Sequence, residues 1–141
     1  MIQRIQSVWL LIVSVLEFIS LKTSFYSGHR IKDLIPKPVV FLTGSYNILL
    51  ITCTVGVAVS SLISIFLYKG RKMQLKIVFV SLLFSLLSIF LYFWQSQSFI
   101  PTESSYDLTA IIPFFIPIFL MLAIRGIYLD EKLVKQSDRL R

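Results

Sequence analysis

Charged residues are scarce in this 141-residue chain and are absent from long parts of it. They make up 15% of the sequence, whereas a soluble domain carries about 25%. None occurs in the 31 residues Pro38–Tyr68 or in the 26 residues Ile77–Thr102. A helix that crosses the hydrocarbon core of a bilayer needs about 20 apolar residues. These charge-free lengths, with 56% hydrophobic residues overall, exclude the class of water-soluble globular proteins.

Cysteine and histidine are also nearly missing, with one residue of each. Cys53 has no second cysteine with which to form an intrachain disulfide. His29 has no cysteine or carboxylate neighbours at ligand spacing, which argues against a metal site. The chain contains no P-loop, dinucleotide fingerprint, nucleophile elbow or H-E-x-x-H pattern. We therefore predict a protein that is not an enzyme and that binds no cofactor or metal.

The apolar residues form four segments, each close to the length that spans a bilayer. These are Ile5–Phe25, Ser45–Tyr68, Leu75–Trp94 and Leu108–Leu129. Each should be helical, because no water is available in the membrane core to satisfy the backbone. Arg125 can reach the headgroups while its stem remains in lipid. The predicted fold is an all-α, integral membrane four-helix bundle over residues 1–129, followed by a short helical tail over residues 130–141.

Lysine and arginine positions predict the orientation of this bundle. With both termini inside, ten of the 14 basic residues lie on the cytoplasmic side and four lie in the first outer loop. We therefore expect both termini to lie in the cytoplasm. A cluster between spans two and three should rest on anionic lipid headgroups: Lys69, Arg71, Lys72 and Lys76. The net charge of +7 does not indicate nucleic-acid binding, because no soluble element carries a basic face.

Polar residues inside the predicted spans recur at helical spacing, so each set shares one face of its helix. Span one carries Gln3, Ser7, Ser14, Glu17 and Ser24; span two carries Thr52, Gly56, Ser60 and Ser64; span three carries Ser81, Ser85, Ser88, Tyr92 and Gln95. The four-residue steps in span two form a row of small residues that lets a neighbouring backbone approach closely. These rows indicate helix-packing seams, and a polar path between spans one and three is the alternative.

Glu17 is the only acid within the predicted spans and lies near the middle of the first. A charge at that depth costs at least about 2.5–3.5 kcal/mol on insertion scales. The side chain should therefore be protonated, paired or facing water. It either joins span one to Ser81, Ser85 or a partner subunit, or it carries a proton.

Span four and the tail carry further signals. Pro113 and Pro117 each remove a backbone N–H, which predicts a kink or a broken helix. Ser104 and Asp107 stand at capping-box spacing and predict that the span starts there. The tail mixes acids and bases around a thin leucine stripe, which suits docking on another protein or a solvated extension. Its candidate docking residues are Leu133 and Leu140.

Both ends of the chain carry a resemblance. The opening Met1-Ile2-Gln3-Arg4-Ile5-Gln6 and the closing Arg125-Gly126-Ile127, Asp130-Glu131-Lys132-Leu133-Val134 and Asp138-Arg139-Leu140-Arg141 resemble a Bacteroidota family of small four-span membrane proteins, the domain of unknown function DUF4293. The resemblance implies a bacterial inner-membrane protein. It implies no activity, cofactor or catalytic residue.

A second resemblance rests on helix count and on Glu17 alone. The small multidrug resistance transporters are also four-span proteins with one acid in the first span. The long first loop, the tail and the two prolines of span four depart from their pattern.

We therefore expect a non-enzymatic accessory subunit of a larger membrane complex, with lipids and membrane proteins as partners and no small-molecule substrate. A proton-coupled transporter that uses Glu17 is the alternative.

Overall fold

The structure, a computed structural model, describes residues 3–29, 39–67, 70–100, 102 and 104–139. In chain order the elements are α1 (Gln3–Ser20), β1 (Ser24–Gly28), β2 (Val40–Thr43), α2 (Ile48–Phe66), α3 (Arg71–Ser96), β3 (Ser105–Tyr106), a 3₁₀ helix (Leu108–Ile111) and α4 (Ile112–Arg139). The fold is therefore mostly helical, as predicted, with four α-helices in the described residues.

The four helices form a bundle in which each packs against two others. Helix α1 contacts α2 and α4, and α3 contacts the same two helices from the other side. All four contribute to one buried apolar core, whose members are Leu10, Val13, Val57, Val78, Ile116, Leu120, Ala123 and Ile127. On α1 and α4 these core positions recur every three or four residues, which gives each of the two helices an apolar stripe facing the core.

Of the four described helices, three are long and apolar enough to cross a membrane: α2, α3, and the segment Leu108–Val134 that includes most of α4. The apolar part of α1, Ile5–Ser20, is shorter. Large apolar side chains also cover the outer surface of the bundle, including Phe79, Leu83 and Phe90 on α3. An outward apolar surface of this kind matches a lipid environment rather than water.

Helix α1 ends five residues before the predicted end of span one. The Ser20 hydroxyl donates to the Glu17 carbonyl, and the Thr23 hydroxyl donates to the Ile19 carbonyl. Serine and threonine compete for backbone carbonyls in this way and favour helix ends. Phe25, predicted to end the span, lies instead in strand β1.

A small sheet covers one end of the bundle, and the all-α prediction omitted it. Its strands are antiparallel in the order β2-β1-β3. Phe25 of β1 stacks on Tyr92 of α3, with the ring centroids 4.7 Å apart. Behind these rings lies a second buried cluster that also contains Tyr26, Leu42, Leu50, Phe99 and Ala110. The sheet is therefore anchored to the helices by aromatic packing.

The region of span four also differs from its prediction. Pro113 lies in the first turn of α4, where a missing N–H leaves no carbonyl unpaired, and only Pro117 is inside the helix. Asp107 precedes the 3₁₀ helix but caps it with no side-chain hydrogen bond. Its Oδ1 instead accepts a bond from the Ser27 hydroxyl at 3.0 Å, and the Ser104 hydroxyl has no hydrogen-bond partner among the described residues. The predicted capping box is therefore wrong. Helix α4 then continues through the predicted tail to Arg139.

Candidate functional site

Helix α3 carries a row of polar side chains that face the interior of the bundle. The buried members of this row are Gln74, Ser81, Ser85, Ser88, Tyr92 and Gln95. The serine hydroxyls donate to carbonyls of their own helix: Ser81 to Ile77, Ser85 to Leu82, and Ser88 to Ser85. Such bonds satisfy a buried hydroxyl without a partner from another helix. The row is therefore buried and largely self-satisfied.

The small-residue row of α2 divides into two halves. The Ser60 hydroxyl lies 2.6 Å from that of Ser81, and Gln74 Nε2 donates to the Ser64 carbonyl at 2.9 Å. These contacts join α2 to α3. In contrast, Thr52 and Gly56 are exposed, and a Cβ added at Gly56 would meet no atom within 4 Å. The two residues line an open apolar groove of about 370 Å³ between α2 and α3, which we call the α2–α3 groove.

Glu17 lies in the last turn of α1, close to the sheet, rather than in the middle of a membrane span. Its side chain is only 1% exposed. The Ser20 hydroxyl lies 3.4 Å from its Oε2, and its Oε1 has no hydrogen-bond partner in the described chain. The predicted bonds to Ser81 or Ser85 do not form, because those hydroxyls bond to their own backbone.

Three elements surround the Glu17 carboxyl group. Tyr92 of α3 lies beside both Glu17 and Ser20, and Cys53 of α2 also lies near Glu17. Both are buried, and Cys53 is a free thiol. Gly44, in the turn before α2, donates its N–H to the Ser20 carbonyl at 3.1 Å. This polar cluster, which we call the Glu17 cluster, is enclosed by helices and sheet together.

The opposite end of the bundle brings together the two chain segments that carry the family resemblance. The Gln6 side chain packs on Gly126, where an added Cβ would lie 2.7 Å from Gln6 Cγ. Beside them, Arg71 Nη1 donates to the carbonyl of Asp130 at 2.8 Å. The start of α1, the start of α3 and the later part of α4 therefore lie at the same end.

The described members of the predicted headgroup and docking sets, Arg71, Lys72, Lys76 and Leu133, are found at that same end. Arg71 is half-buried and bonded to α4, whereas Lys72 and Lys76 are exposed. Lys69 and Leu140 lie outside the described residues. Leu133 is 50% exposed on α4. Among the described residues, no group of three or more histidine, cysteine or acidic side chains could hold a metal ion.

Sequence reasoning missed three residues that shape these clusters: Gln6, Gln74 and Gly44. A signal existed for the first two. Gln74 precedes Ser81, Ser88 and Gln95 by successive steps of seven, and Gln6 stands in the same heptad-like stripe as Leu10, Val13, Glu17 and Ser20. Gly44 had none, because its contacts depend on how the sheet folds back onto α1.

The fold and the outward apolar surface define a helical protein with helices suited to a membrane. The model of the family described as a domain of unknown function (DUF4293) matches residues 2–140, so this chain belongs to that family. This confirms the family resemblance carried by the two ends of the sequence. No curated protein and no solved structure matches the chain.

Proposed function

We propose that this chain is a non-enzymatic, four-span protein of the bacterial inner membrane that acts as an accessory subunit of a larger complex. The observation that carries the proposal is an apolar stripe on α4 beyond Arg125, at Leu129, Leu133 and Val134, each 43–50% exposed. The 28 residues of α4 extend about 42 Å, which exceeds a hydrocarbon core of about 30 Å. We call this stripe the tail surface. Counted from Ile112, about 20 residues cross that core, so Leu133 and Val134 at the far end of the tail surface lie beyond it.

The charges around the tail surface favour a protein partner over a lipid surface. Glu131 and Asp138 alternate with Lys132 and Lys135 along the same stretch of sequence. A helix that binds anionic headgroups carries bases on its polar face without such a share of acids. An exposed apolar stripe bordered by both signs of charge is typical of helices that dock on other proteins.

The proposed topology has four spans and places the starts of α1 and α3 in the cytoplasm. Helix α1 has 18 residues, about 27 Å, and it packs against both α2 and α4. The contact between Gln6 and Gly126 supports placing the two ends of the chain on the same side of the membrane. With Cys53 replaced by alanine, a cysteine at Lys72 should react with a membrane-impermeant maleimide only after the cytoplasmic face is opened. Reaction in intact cells would reverse the orientation.

Photo-crosslinking in native membranes tests the accessory role. A photoreactive residue at Leu133 should give a reproducible adduct with one other membrane protein, identified by mass spectrometry after purification in mild detergent. The same residue at exposed Lys132, about 100° away around the helix, is the matched control and should give far less of that adduct. Adducts only with lipid or with a second copy of this chain would refute the accessory role.

A second candidate function, proton-coupled transport, is favoured by the buried Glu17 side chain and its unpartnered Oε1. If Glu17 carries protons, vesicles with the reconstituted protein should take up protons in exchange for a lipophilic cation. Glu17→Gln keeps the shape and the acceptor for Ser20 and should abolish that exchange. Asp107→Asn, which alters an acid in the loop before the 3₁₀ helix, is the control and should leave it unchanged. Equal exchange by the Glu17→Gln variant and the unsubstituted protein would remove Glu17 from this role.

A further inference from the structure

A second open cavity of about 470 Å³ lies between α2 and α3, at the end of the bundle that carries the sheet. We call it the Gln95 pocket. Its α3 residues include Leu91, Trp94 and Gln95. Each comes fourteen positions after a residue of the α2–α3 groove, namely Ile77, Val80 and Ser81. Fourteen residues are close to four helical turns, so the pocket and the groove open on the same face of α3 about 21 Å apart.

Gln95 gives the pocket a polar group that needs a ligand. The residue is 9% exposed, and its Oε1 has no hydrogen-bond partner in the described chain. An amide oxygen accepts hydrogen bonds and cannot donate them. Buried polar atoms of this kind normally have a partner, so Oε1 favours a ligand that brings an N–H or O–H donor.

Aromatic rings beside Gln95 favour a positively charged donor. Phe90 and Trp94 line the pocket with ring centroids 6.0 Å apart, and both side chains are more than half exposed. The faces of such rings attract ammonium groups. None of the lining residues that the structure describes carries a formal charge of its own. An ammonium with N–H donors suits both the rings and the amide oxygen.

The opposite wall of the pocket suits a phosphate. Asn47, the residue before α2, lines the pocket, and no side-chain hydrogen bond caps this helix. The first N–H groups of an uncapped helix attract anions, and the helix dipole adds to this attraction. One pocket therefore offers an ammonium site next to a phosphate site.

The α2–α3 groove provides room for an acyl chain below the pocket. Half of a hydrocarbon core of about 30 Å corresponds to about ten residues of helix. Counted backwards along α3 from Gln95, about ten residues reach the level of Phe84. Phe84 lines the groove together with Thr52. The groove surface there is almost entirely apolar.

We propose that the Gln95 pocket binds the headgroup of a phosphatidylethanolamine. The lipid ammonium donates to Gln95 Oε1 over the rings of Phe90 and Trp94, the phosphate lies at the start of α2, and one acyl chain runs into the α2–α3 groove. This site is independent of the tail surface and of the Glu17 cluster.

Fluorescence quenching by brominated lipids tests the proposal, because Trp94 itself lines the pocket. Trp9→Phe leaves Trp94 as the only tryptophan. In bilayers, brominated phosphatidylethanolamine should show a relative binding constant about tenfold above that of brominated phosphatidylcholine. Both headgroups end in a positively charged nitrogen that can lie over the rings, but only ethanolamine has N–H groups to donate to Gln95.

Substitutions at Gln95 separate the hydrogen bond from general lipid contact. Gln95→Leu should bind the two lipids equally, whereas Gln95→Glu should keep or increase the preference for ethanolamine. Gln97→Leu, at an exposed residue just past α3, is the matched control and should retain the full preference. Circular dichroism and size exclusion establish that each variant is folded. If Gln95→Leu does not fold, Gln95→Met, which keeps the side-chain length but has no amide oxygen, should bind the two lipids equally and decides the matter.

Three results would overturn the proposal. The first is equal binding of the two lipids by the unsubstituted pocket, and the second is a preference that Gln95→Leu leaves unchanged. The third is exclusion of every brominated lipid from Trp94 by a helix of another protein or of a second copy. Displacement of the lipid by free ethanolamine at millimolar concentration would instead assign the pocket to a soluble amine, which also contradicts a lipid site.

Discussion

A single methyl group added at Gly44 should disturb the junction of sheet and bundle. A Cβ at this position would lie 2.8 Å from the Ser20 carbonyl oxygen and 3.0 Å from the Tyr92 hydroxyl oxygen. Ordinary van der Waals contact for a Cβ begins at about 3.4 Å. The Gly44→Ala variant must therefore move the turn away from α1 and lengthen the hydrogen bond from its own N–H to Ser20.

The loss of stability expected for Gly44→Ala depends on which atoms the added Cβ would contact. Overpacking of a well-packed site costs about 1–3 kcal/mol. The nearest atom here belongs to the backbone of the last turn of α1, which cannot turn aside as a flexible side chain can. We therefore expect a loss near the upper end, about 2–3 kcal/mol, and a fall in Tm of roughly 4–12 °C for a chain of this size.

Thermal unfolding in a single detergent, followed by tryptophan fluorescence and by far-UV circular dichroism, measures the effect. Gly56→Ala is the matched control, because its Cβ would meet no atom within 4 Å. Alanine in a helix is favoured over glycine by about 1 kcal/mol, so this control should melt at or above the Tm of the unsubstituted chain. An unchanged Tm for Gly44→Ala, or an equal fall for both variants, would refute the reasoning.

Two further substitutions test single hydrogen bonds. Ser60→Ala removes the contact with the Ser81 hydroxyl. A double-mutant cycle with Ser81→Ala should give a coupling free energy of unfolding of about 0.6 kcal/mol, and at most about 1.7 kcal/mol. A coupling of zero would contradict a hydrogen bond between the two helices. Asp107→Ala removes the acceptor of the Ser27 hydroxyl, which should lower the stability of the sheet by about 1 kcal/mol. Amide hydrogen exchange in residues 24–28 should therefore become several-fold faster, while α2 keeps its protection. Asp107→Asn retains an acceptor and should show a smaller change, and equal exchange in all three proteins would exclude this bond as a support of the sheet.

Helical periodicity and the distribution of charges were enough to predict the helical elements. The predicted span Ser45–Tyr68 contains helix α2, and α3 contains the whole of the predicted Leu75–Trp94. Residues such as Ser81, Ser85 and Ser88 lie on one face because a helix repeats every 3.6 residues, and that face is buried. A local pattern predicts these features because it depends only on the geometry of one helix.

Long-range contacts determine the features that the sequence did not reveal. Strands β1 and β2 are separated by eleven residues, and β3 follows only after helices α2 and α3 in the sequence. The pairing of the three strands therefore leaves no local signature. The same pairing draws Ser24 and Phe25 out of the first span and places Glu17 one turn from the end of α1. The expected position of Glu17 near the middle of the first helix was therefore wrong, because it was counted within a segment that does not remain helical as far as Phe25.

The length of a buried polar side chain decides whether it indicates a site in this bundle. A serine hydroxyl reaches the carbonyl three or four residues earlier in its own helix, as Ser61 and Ser64 do on α2. Rows of serine therefore indicate close packing more than a polar path. Gln6, Glu17 and Gln95 have longer side chains that extend away from their own backbone, and each leaves one buried atom without a partner in the described chain. Gln95 lines an open cavity on the outer face of the bundle, which is why the strongest ligand hypothesis rests on it.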